Sequence, residues 1–469
     1  MNIKDYNTKD TIAAIATFPE TSALGVIKIS GKKALPIISK IFIPKRKKNI
    51  KQVPTYSLHY GWIGEKDTMQ NKKTTTIIDE VLVSIMKTPH TYTRDDVVEI
   101  SSHGGTAVLN KILELILKNG GRLAYPGEFT YRAFVNGRID LLQAQGIFDI
   151  VNAQTDEGVN IALRQLKGEV SQKLVGLKNE LKNIFEILEV SIQFPDEEIK
   201  ISLPGLKKRI ILFIQQVDEL IKGSDGADIF RKGVRCVVCG KPNSGKSTLF
   251  NCLVKEERVI VTKIAGTTRD VIEETIYMQG IPLKICDTAG VLEPKDLIEK
   301  EAVEKSHQKI NEADIVLLLL DYSRPLEEDD LFLLEKVKGR NTVIVVNKID
   351  LLPQLDLGQV KSFQKPMVKI SALEKRRLHS LERAIWKKVY SQGIEKKENL
   401  VFLAQWQKFI LQEIRDELYN VQKYLNEKYP VDFVVFSLKD TMYKLGKVTG
   451  EITSEEILND IFKDFCIGK

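Results

Sequence analysis

Gly240 to Ser247 read GKPNSGKS, a G-x-x-x-x-G-K-[ST] run that constrains the chain more than any other segment. The apolar VRCVV precedes it and a helical stretch follows, so the loop joins a strand to the N-terminus of a helix. Glycines let successive backbone N–H groups turn inward, and the helix end adds positive potential. Both suit a phosphate. Lys246 can reach the β- and γ-phosphates of a nucleotide, and the Ser247 hydroxyl can hold Mg²⁺. The surroundings agree. VRCVVCG, LKICDTAG, DIVLLLLD and TVIVVNK alternate with helical stretches from about Gly233 to Tyr390, the pattern of a doubly wound, mostly parallel sheet.

The base follows from a second motif. Asn347, Lys348 and Asp350 stand in NKID, after the apolar TVIVV. A carboxylate there accepts two hydrogen bonds from guanine, one from the ring N–H and one from the amino group. Adenine has neither donor and would leave the carboxylate unpaired. Behind a phosphate loop, the motif says GTP rather than ATP. Asp287 and Gly290 in DTAG close another apolar strand, where the carboxylate can hold Mg²⁺ through water and the glycine N–H can meet the γ-phosphate. Thr267 and Thr268 in AGTTRD stand where a switch loop caps the metal, and Ser371, Ala372 and Leu373 where a loop closes over the base. The water-orienting glutamine of Ras-like enzymes is replaced by Val291, which leaves Glu293, Glu299 and Glu301 within reach. Arg269 is the one arginine in the switch loops that could act as a finger. A bound cation is a substitute, with Asn243 offering a neutral oxygen ligand.

The remainder divides by pattern. To about residue 130 the chain reads as short strands (Thr11–Thr17, Ala23–Ser30, Val81–Met86, Val97–Ser101) and a helix over Ala107–Lys118, an α+β domain. Leu163, Leu166, Val170, Leu174, Leu177, Leu181 and Ile184 recur at three- and four-residue steps, one helix with an apolar seam. FPDEEI and Pro204 break it, a second helix runs from Leu206 to Lys222, and KGSDGAD (Lys222–Asp228) reads as a linker. Helical spacing returns after Leu400, for example over Phe402–Leu425. The expected organisation is an N-terminal domain (1–130), two halves of one discontinuous helical domain (131–228 and 393–469) and an inserted P-loop GTPase domain (229–392). A balance of +7 permits a nucleic-acid partner without arguing for one. Five irregularly spaced cysteines, no signal-peptide core and no apolar run of membrane length point to a cytoplasmic protein without stable membrane insertion.

Motifs along the whole chain resemble the MnmE (TrmE) family, the tRNA uridine-5-carboxymethylaminomethyl modification GTPases of bacteria and organelles. They are DTIAAIAT and ALGVIKISG near the start, YTRDDVVEISSHGG, PGEFTYRAFVNGRIDL and FPDEEI in the middle, and IFKDFCIGK at the end. The resemblance implies an N-terminal domain that binds tetrahydrofolate and forms a homodimer. It implies partnership with the flavoprotein MnmG, as a heterotetramer, to place an aminomethyl-type group on carbon 5 of the wobble uridine of certain tRNAs. 5-Formyltetrahydrofolate or a related tetrahydrofolate gives the one-carbon unit, and K⁺-dependent GTP hydrolysis is switched on when two GTPase domains meet. Carried over by position, Asn243, Thr262, Ile264 and Thr267 surround K⁺, Ser247 and Thr268 hold Mg²⁺, and Glu299 orients the water. Nucleotide contacts span Asn243, Ser244, Gly245, Lys246, Ser247 and Thr248, then Thr262, Lys263, Ile264, Ala265, Gly266 and Thr267. They continue at Asp287, Thr288, Ala289 and Gly290, at Asn347, Lys348 and Asp350, and at Ser371, Ala372 and Leu373. Lys28, Glu99, Arg138 and Lys469 fall on the folate positions, and Cys466 lies near the modification chemistry.

Departures from the family pattern include FPETSA (Phe18–Ala23) in place of a glycine- and arginine-bearing turn. Lys28 also replaces an arginine, and AQWQK (Ala404–Lys408) replaces an arginine-rich patch. Cys236 and Cys239 form a C-x-x-C, but in a strand feeding the phosphate loop they read as core. His103 reads either as a pocket residue or as a turn histidine satisfied locally. The alternative function is an RNA-binding or ribosome-assembly GTPase, which explains neither the N-terminal domain nor the C-terminal motif. A non-hydrolysing GTP-binding scaffold rests on Val291 alone.

Overall fold

The computed structural model describes residues 6, 8–18, 20–46, 49–67, 74–193, 202–256, 273–278, 281–287, 310–390 and 399–468. The chain forms two compact units, each discontinuous in sequence: Met1–Phe148 with Gln165–Lys207 and Asp416–Lys469, and Asp149–Arg164 with Lys208–Arg415.

The first unit is built on a seven-stranded sheet. Its strands are β1 (Ile12–Ile15), β2 (Ser22–Ser30), β3 (Phe42–Pro44), β4 (Ser57–Asp67), β5 (Thr74–Met86), β6 (Val97–Gly104) and β7 (Arg122–Leu123), in the order β3-β4-β5-β6-β2-β1-β7. All pairs are antiparallel except β1–β7. One face carries Ile27, Ile29, Val81, Val83, Ile85, Val98 and Ile100 against the helices Ala34–Ile41 and Thr106–Lys118, closing a core. The period-two alternation then sends every other residue to the opposite face. Register aligns Lys28, Glu99, Ser84 and Leu58 in one row there, and Val26, Ser101, Leu82 and Tyr60 in the next.

Helices complete this unit. Glu169–Gln193 buries Val170, Leu174, Leu177, Leu181, Ile184 and Leu188 and packs on Val431–Thr449. The expected seam began at Leu163, and the structure corrects it. Gly168 takes φ +84°, a left-handed turn that ends the Asp156–Leu166 helix, and Leu163 is exposed in that preceding helix.

The second unit holds a six-stranded sheet of β8 (Val234–Gly240), β9 (Glu273–Met278), β10 (Ile281–Asp287), β11 (Ile315–Asp321), β12 (Thr342–Asn347) and β13 (Met367–Lys369). Its order is β13-β12-β11-β8-β10-β9, and only β9–β10 is antiparallel. Both faces are covered, as a parallel sheet requires. Val238, Ile285, Leu317 and Val345 pack with Leu249 and Leu381 on one side, and Val237, Leu318 and Ile344 with Leu333 and Val360 on the other. This is the expected doubly wound, mostly parallel fold.

The expected linker at Lys222–Asp228 is not one. A single helix runs Leu203–Lys232 through it. Ala227 and Phe230 are buried in the sheet's core, which keeps the segment helical despite its turn-like composition. Gly223 is required there, since a Cβ would meet the Asn399 carbonyl oxygen at 2.2 Å.

Candidate functional site

The site forms at the carboxyl ends of β8, β11 and β12, where an open parallel sheet presents its loops. Gly240 ends β8 at φ +150°, where a Cβ would stand 2.6 Å from the Leu319 carbonyl oxygen. Asn243 (φ 63°) and Gly245 (φ +96°) also take positive φ, so the loop curls tightly before the helix Lys246–Glu256. A Cβ on Gly245 would lie 2.2 Å from Nδ2 of Asn347. The missing side chain is what admits the asparagine. The Lys246 ammonium bridges the loop, donating to the carbonyls of Gly240 at 2.9 Å and Lys241 at 2.8 Å. Ser247 and Thr248 follow in the first turn of the helix, and the Ser244 side chain is buried beneath the loop.

Asn347 ties three segments together. Its Nδ2 donates to the Ser244 carbonyl at 3.0 Å, and its Oδ1 accepts from the Ala372 N–H at 2.9 Å. Lys348 (φ 65°) donates from Nζ to Oδ2 of Asp321 at 2.6 Å. Burial pushes the Asp321 carboxyl up, but hydrogen bonds from Lys348 and Ser323 outweigh it and hold the group below its ordinary range. Asp350 keeps a buried carboxylate oxygen with no hydrogen-bond partner among the described residues; in the loop expected to close over a base, Ser371 is buried and Leu373 exposed. Such an acceptor fits a ligand with paired N–H donors.

Asp287 closes β10 in register with Val238. Its side chain, together with Thr262, Lys263, Ile264, Ala265, Gly266, Thr267, Thr268, Thr288, Ala289, Gly290 and Glu299, lies outside the described residues. The expected nucleotide residues within the described structure are therefore 243–248, Asn347, Lys348, Asp350 and 371–373, on three segments that Asn347 joins. Asp321 was missed by the sequence reading. Its signal was its place, a polar residue ending an apolar parallel strand beside Asn347. Cys236 and Cys239 are fully buried in β8, and burial pushes both thiols up, Cys239 to about 12. They are core residues, as read from sequence.

A second cluster lies in the first unit. Lys28 and Glu99 are cross-strand neighbours 3.6 Å apart. Lys28 Nζ is 5.6 Å from the Tyr92 ring centroid, and the Arg138 guanidinium is 4.6 Å from the same ring. Tyr92, unassigned from sequence, is hydrogen-bonded to Thr130 at 2.9 Å, and burial raises its phenol. The carbonyl of the exposed Cys466 accepts from the Gly127 N–H at 3.3 Å. Gly468 approaches β1 closely, since its Cβ would be 2.9 Å from Cα of Ala16, and Lys469 lies outside the described residues. His103 is exposed on β6 with Nδ1 2.7 Å from Asp79, which raises its pKa.

Residues 141–466 match the model of the MnmE helical domain, and residues 11–138 match that of the GTP-binding protein TrmE N-terminus. The chain belongs to the MnmE family. It is similar to proteins named tRNA modification GTPase MnmE. That of Alkaliphilus oremlandii is 41% identical over 463 residues, covering 98% of this chain and 99% of the relative. That of Thermoanaerobacter pseudethanolicus is 42% identical over 467 residues, covering 98% and 99%. That of Bacillus subtilis is 37% identical over 465 residues, covering 98% and 100%. The activity of the MnmE family, GTP hydrolysis in tRNA modification, agrees with a glycine-bearing loop and the N-K-x-D segment, both at the carboxyl ends of one parallel sheet. Among the described residues, no helix is long and apolar enough to cross a membrane.

Proposed function

We propose that the chain is a cytoplasmic, K⁺-dependent GTPase that works as a homodimer with MnmG. Together they add an aminomethyl-type group, carboxymethylaminomethyl among them, to carbon 5 of the wobble uridine of certain tRNAs. The proposed division of labour is residues 1–130 for tetrahydrofolate and dimerisation, 229–392 for GTP, and 131–228 with 393–469 as the discontinuous helical domain. At the GTPase centre, Ser247 and Thr268 would hold Mg²⁺, Asn243, Thr262, Ile264 and Thr267 would hold K⁺, and Glu299 would orient the attacking water. A cation there supplies the charge that an arginine finger supplies elsewhere.

The observation that carries the folate reading is the gathering of Lys28, Glu99, Arg138 and Tyr92. A folate brings a planar pterin with N–H donors and a glutamate tail with carboxylates. Glu99 suits the former, and Lys28 and Arg138 the latter. The sheet face that carries the cluster also exposes Leu24, Leu58 and Leu82, which supports pairing with a second copy. The test is reconstitution: purified chain with MnmG, GTP, Mg²⁺, KCl, the folate donor, reductant and tRNA. Modified wobble uridine that disappears on omission of folate or on replacing KCl by NaCl is expected. No modification with every component present would overturn the proposal.

A further inference from the structure

The phosphate loop carries a second lysine that the nucleotide chemistry leaves unused. Lys241 stands between Gly240 and Pro242, yet its side chain is only 7% exposed. Its ammonium is held by the connection that follows β11, donating to Glu327 and lying 3.0 Å from Asp329. Glu327 is the N-cap of the Glu328–Lys336 helix, and its backbone N–H donates to Oδ2 of Asp330 at 3.2 Å. Arg324 occupies the middle of the cluster. Its guanidinium is 3.8 Å from both Glu327 and Asp330 and 4.0 Å from Asp321. Asp321 is the carboxylate that holds Lys348 at 2.6 Å. Charges thus alternate from Lys241 through Glu327, Arg324 and Asp321 to Lys348, from the phosphate end of the site to the base end.

The loop needs such a tether. A non-glycine residue at φ 63°, Asn243, has a conformational cost that the surroundings must offset. Within the loop, Lys246 holds the carbonyls of Gly240 and Lys241, the Ser244 N–H donates to the Lys241 carbonyl at 3.3 Å, and Asn347 holds the Ser244 carbonyl. All of them engage carbonyl groups. Lys241 adds a tie from outside, through its side chain, and leaves the inward N–H groups for phosphate. A loop set before the ligand arrives saves ordering cost at binding.

We propose that Lys241 is a positioning residue. Clamped by Glu327 and Asp329, it fixes the first limb of the phosphate loop in its nucleotide-receiving form, and through Arg324 and Asp321 the same clamp shares its support with Lys348. The role rests on the reading of this site as a GTP site. It concerns GDP and GTP alike, because the limb it fixes precedes the γ-phosphate region.

The test is binding of fluorescent N-methylanthraniloyl GDP and GTP to the full chain, with GTP turnover and melting temperature measured alongside. Lys241→Met is expected to weaken both nucleotides by the same factor, about 10- to 100-fold as for loss of charge-assisted hydrogen bonds. Turnover at saturating GTP should stay within about twofold, since no transition-state contact is removed. Lys241→Arg should recover most of the affinity. Lys241→Met and Glu327→Gln together should cost less than the sum of the two. Glu327 and Asp329 are half exposed, so Glu327→Gln and Asp329→Asn keep the test open if Lys241→Met fails to fold. Parent-like binding by these variants, or additive effects of the pair, would overturn the role. A parent chain that binds neither nucleotide would instead overturn the GTP site itself.

Discussion

Asp350 keeps one carboxylate oxygen buried and without a partner among the described residues, a costly state that a guanine base would relieve through its ring N–H and amino donors. Asp350→Asn keeps the shape but offers one acceptor and one donor. GTP affinity should fall about 100-fold, the size of a lost charge-assisted pair, while xanthosine triphosphate, with a carbonyl in place of the amino group, should gain. Competition binding of the two nucleotides reads this directly, and equal losses for both would refute guanine recognition by this residue. Asp321 gives a second handle. Its folded carboxyl sits below the ordinary 3.8, so it contributes stability above that value and loses it as pH falls through the folded value. Urea unfolding should show Asp321→Asn less stable than the parent at pH 7, with the gap closing below about pH 4. Asp350 was a candidate from the sequence because N-K-x-D is a local motif. Asp321 was not, because its task comes from lying opposite Asn347 across β11 and β12, a register that only the folded sheet sets.

Elements were legible where periodicity and burial agree, and misread where composition pointed elsewhere. The apolar runs of β8, β11 and β12 announce strands covered on both faces, and the structure has them so. KGSDGAD has the composition of a turn, but burial of Ala227 and Phe230 decides for helix. Two glycine substitutions separate the local and tertiary effects. Gly176, within the Glu169–Gln193 helix, has nothing among the described residues within 4 Å of an added Cβ. Gly176→Ala should therefore stabilise the chain by about 0.5–1 kcal/mol through helix propensity and a less flexible unfolded state. Gly223 is also helical, but its Cβ would strike the Asn399 carbonyl at 2.2 Å. Gly223→Ala should lower the melting temperature despite the same gain in propensity. Calorimetry on the two variants should move in opposite directions. A stabilised Gly223→Ala would mean that the chain near Asn399 gives way freely.

At the scale of the whole molecule, the order of patterns along the sequence leads one to expect a parallel-sheet domain set into a helical one. It does not show that the short Asp149–Arg164 piece groups with the sheet, because that depends on Ile161 and Ala162 entering the sheet's core far along the chain. The N-terminal sheet poses the converse problem. Strand alternation is visible in sequence, but which face stays uncovered follows from where the two helices dock. The outer rows place Leu58, Tyr60 and Leu82 side by side, with Leu58 62% and Leu82 40% exposed. An apolar face spread over several strands is a poor surface for a monomer in water and a good one for a second copy. Replacing Leu58 and Leu82 together by glutamate would set like charges against each other across a two-fold interface, which neither hydration nor repacking can relieve cheaply. The parent is expected to sediment as a dimer and the Leu58→Glu, Leu82→Glu variant as a monomer, with GTP affinity unchanged because the phosphate loop belongs to the other unit. KCl-stimulated GTP turnover should fall with loss of the dimer and become steeply dependent on protein concentration, because GTPase domains tethered in a dimer would meet at a high effective concentration and untethered ones would not. A variant that stays dimeric, or a parent that sediments as a monomer, would show that this face does not hold two copies together.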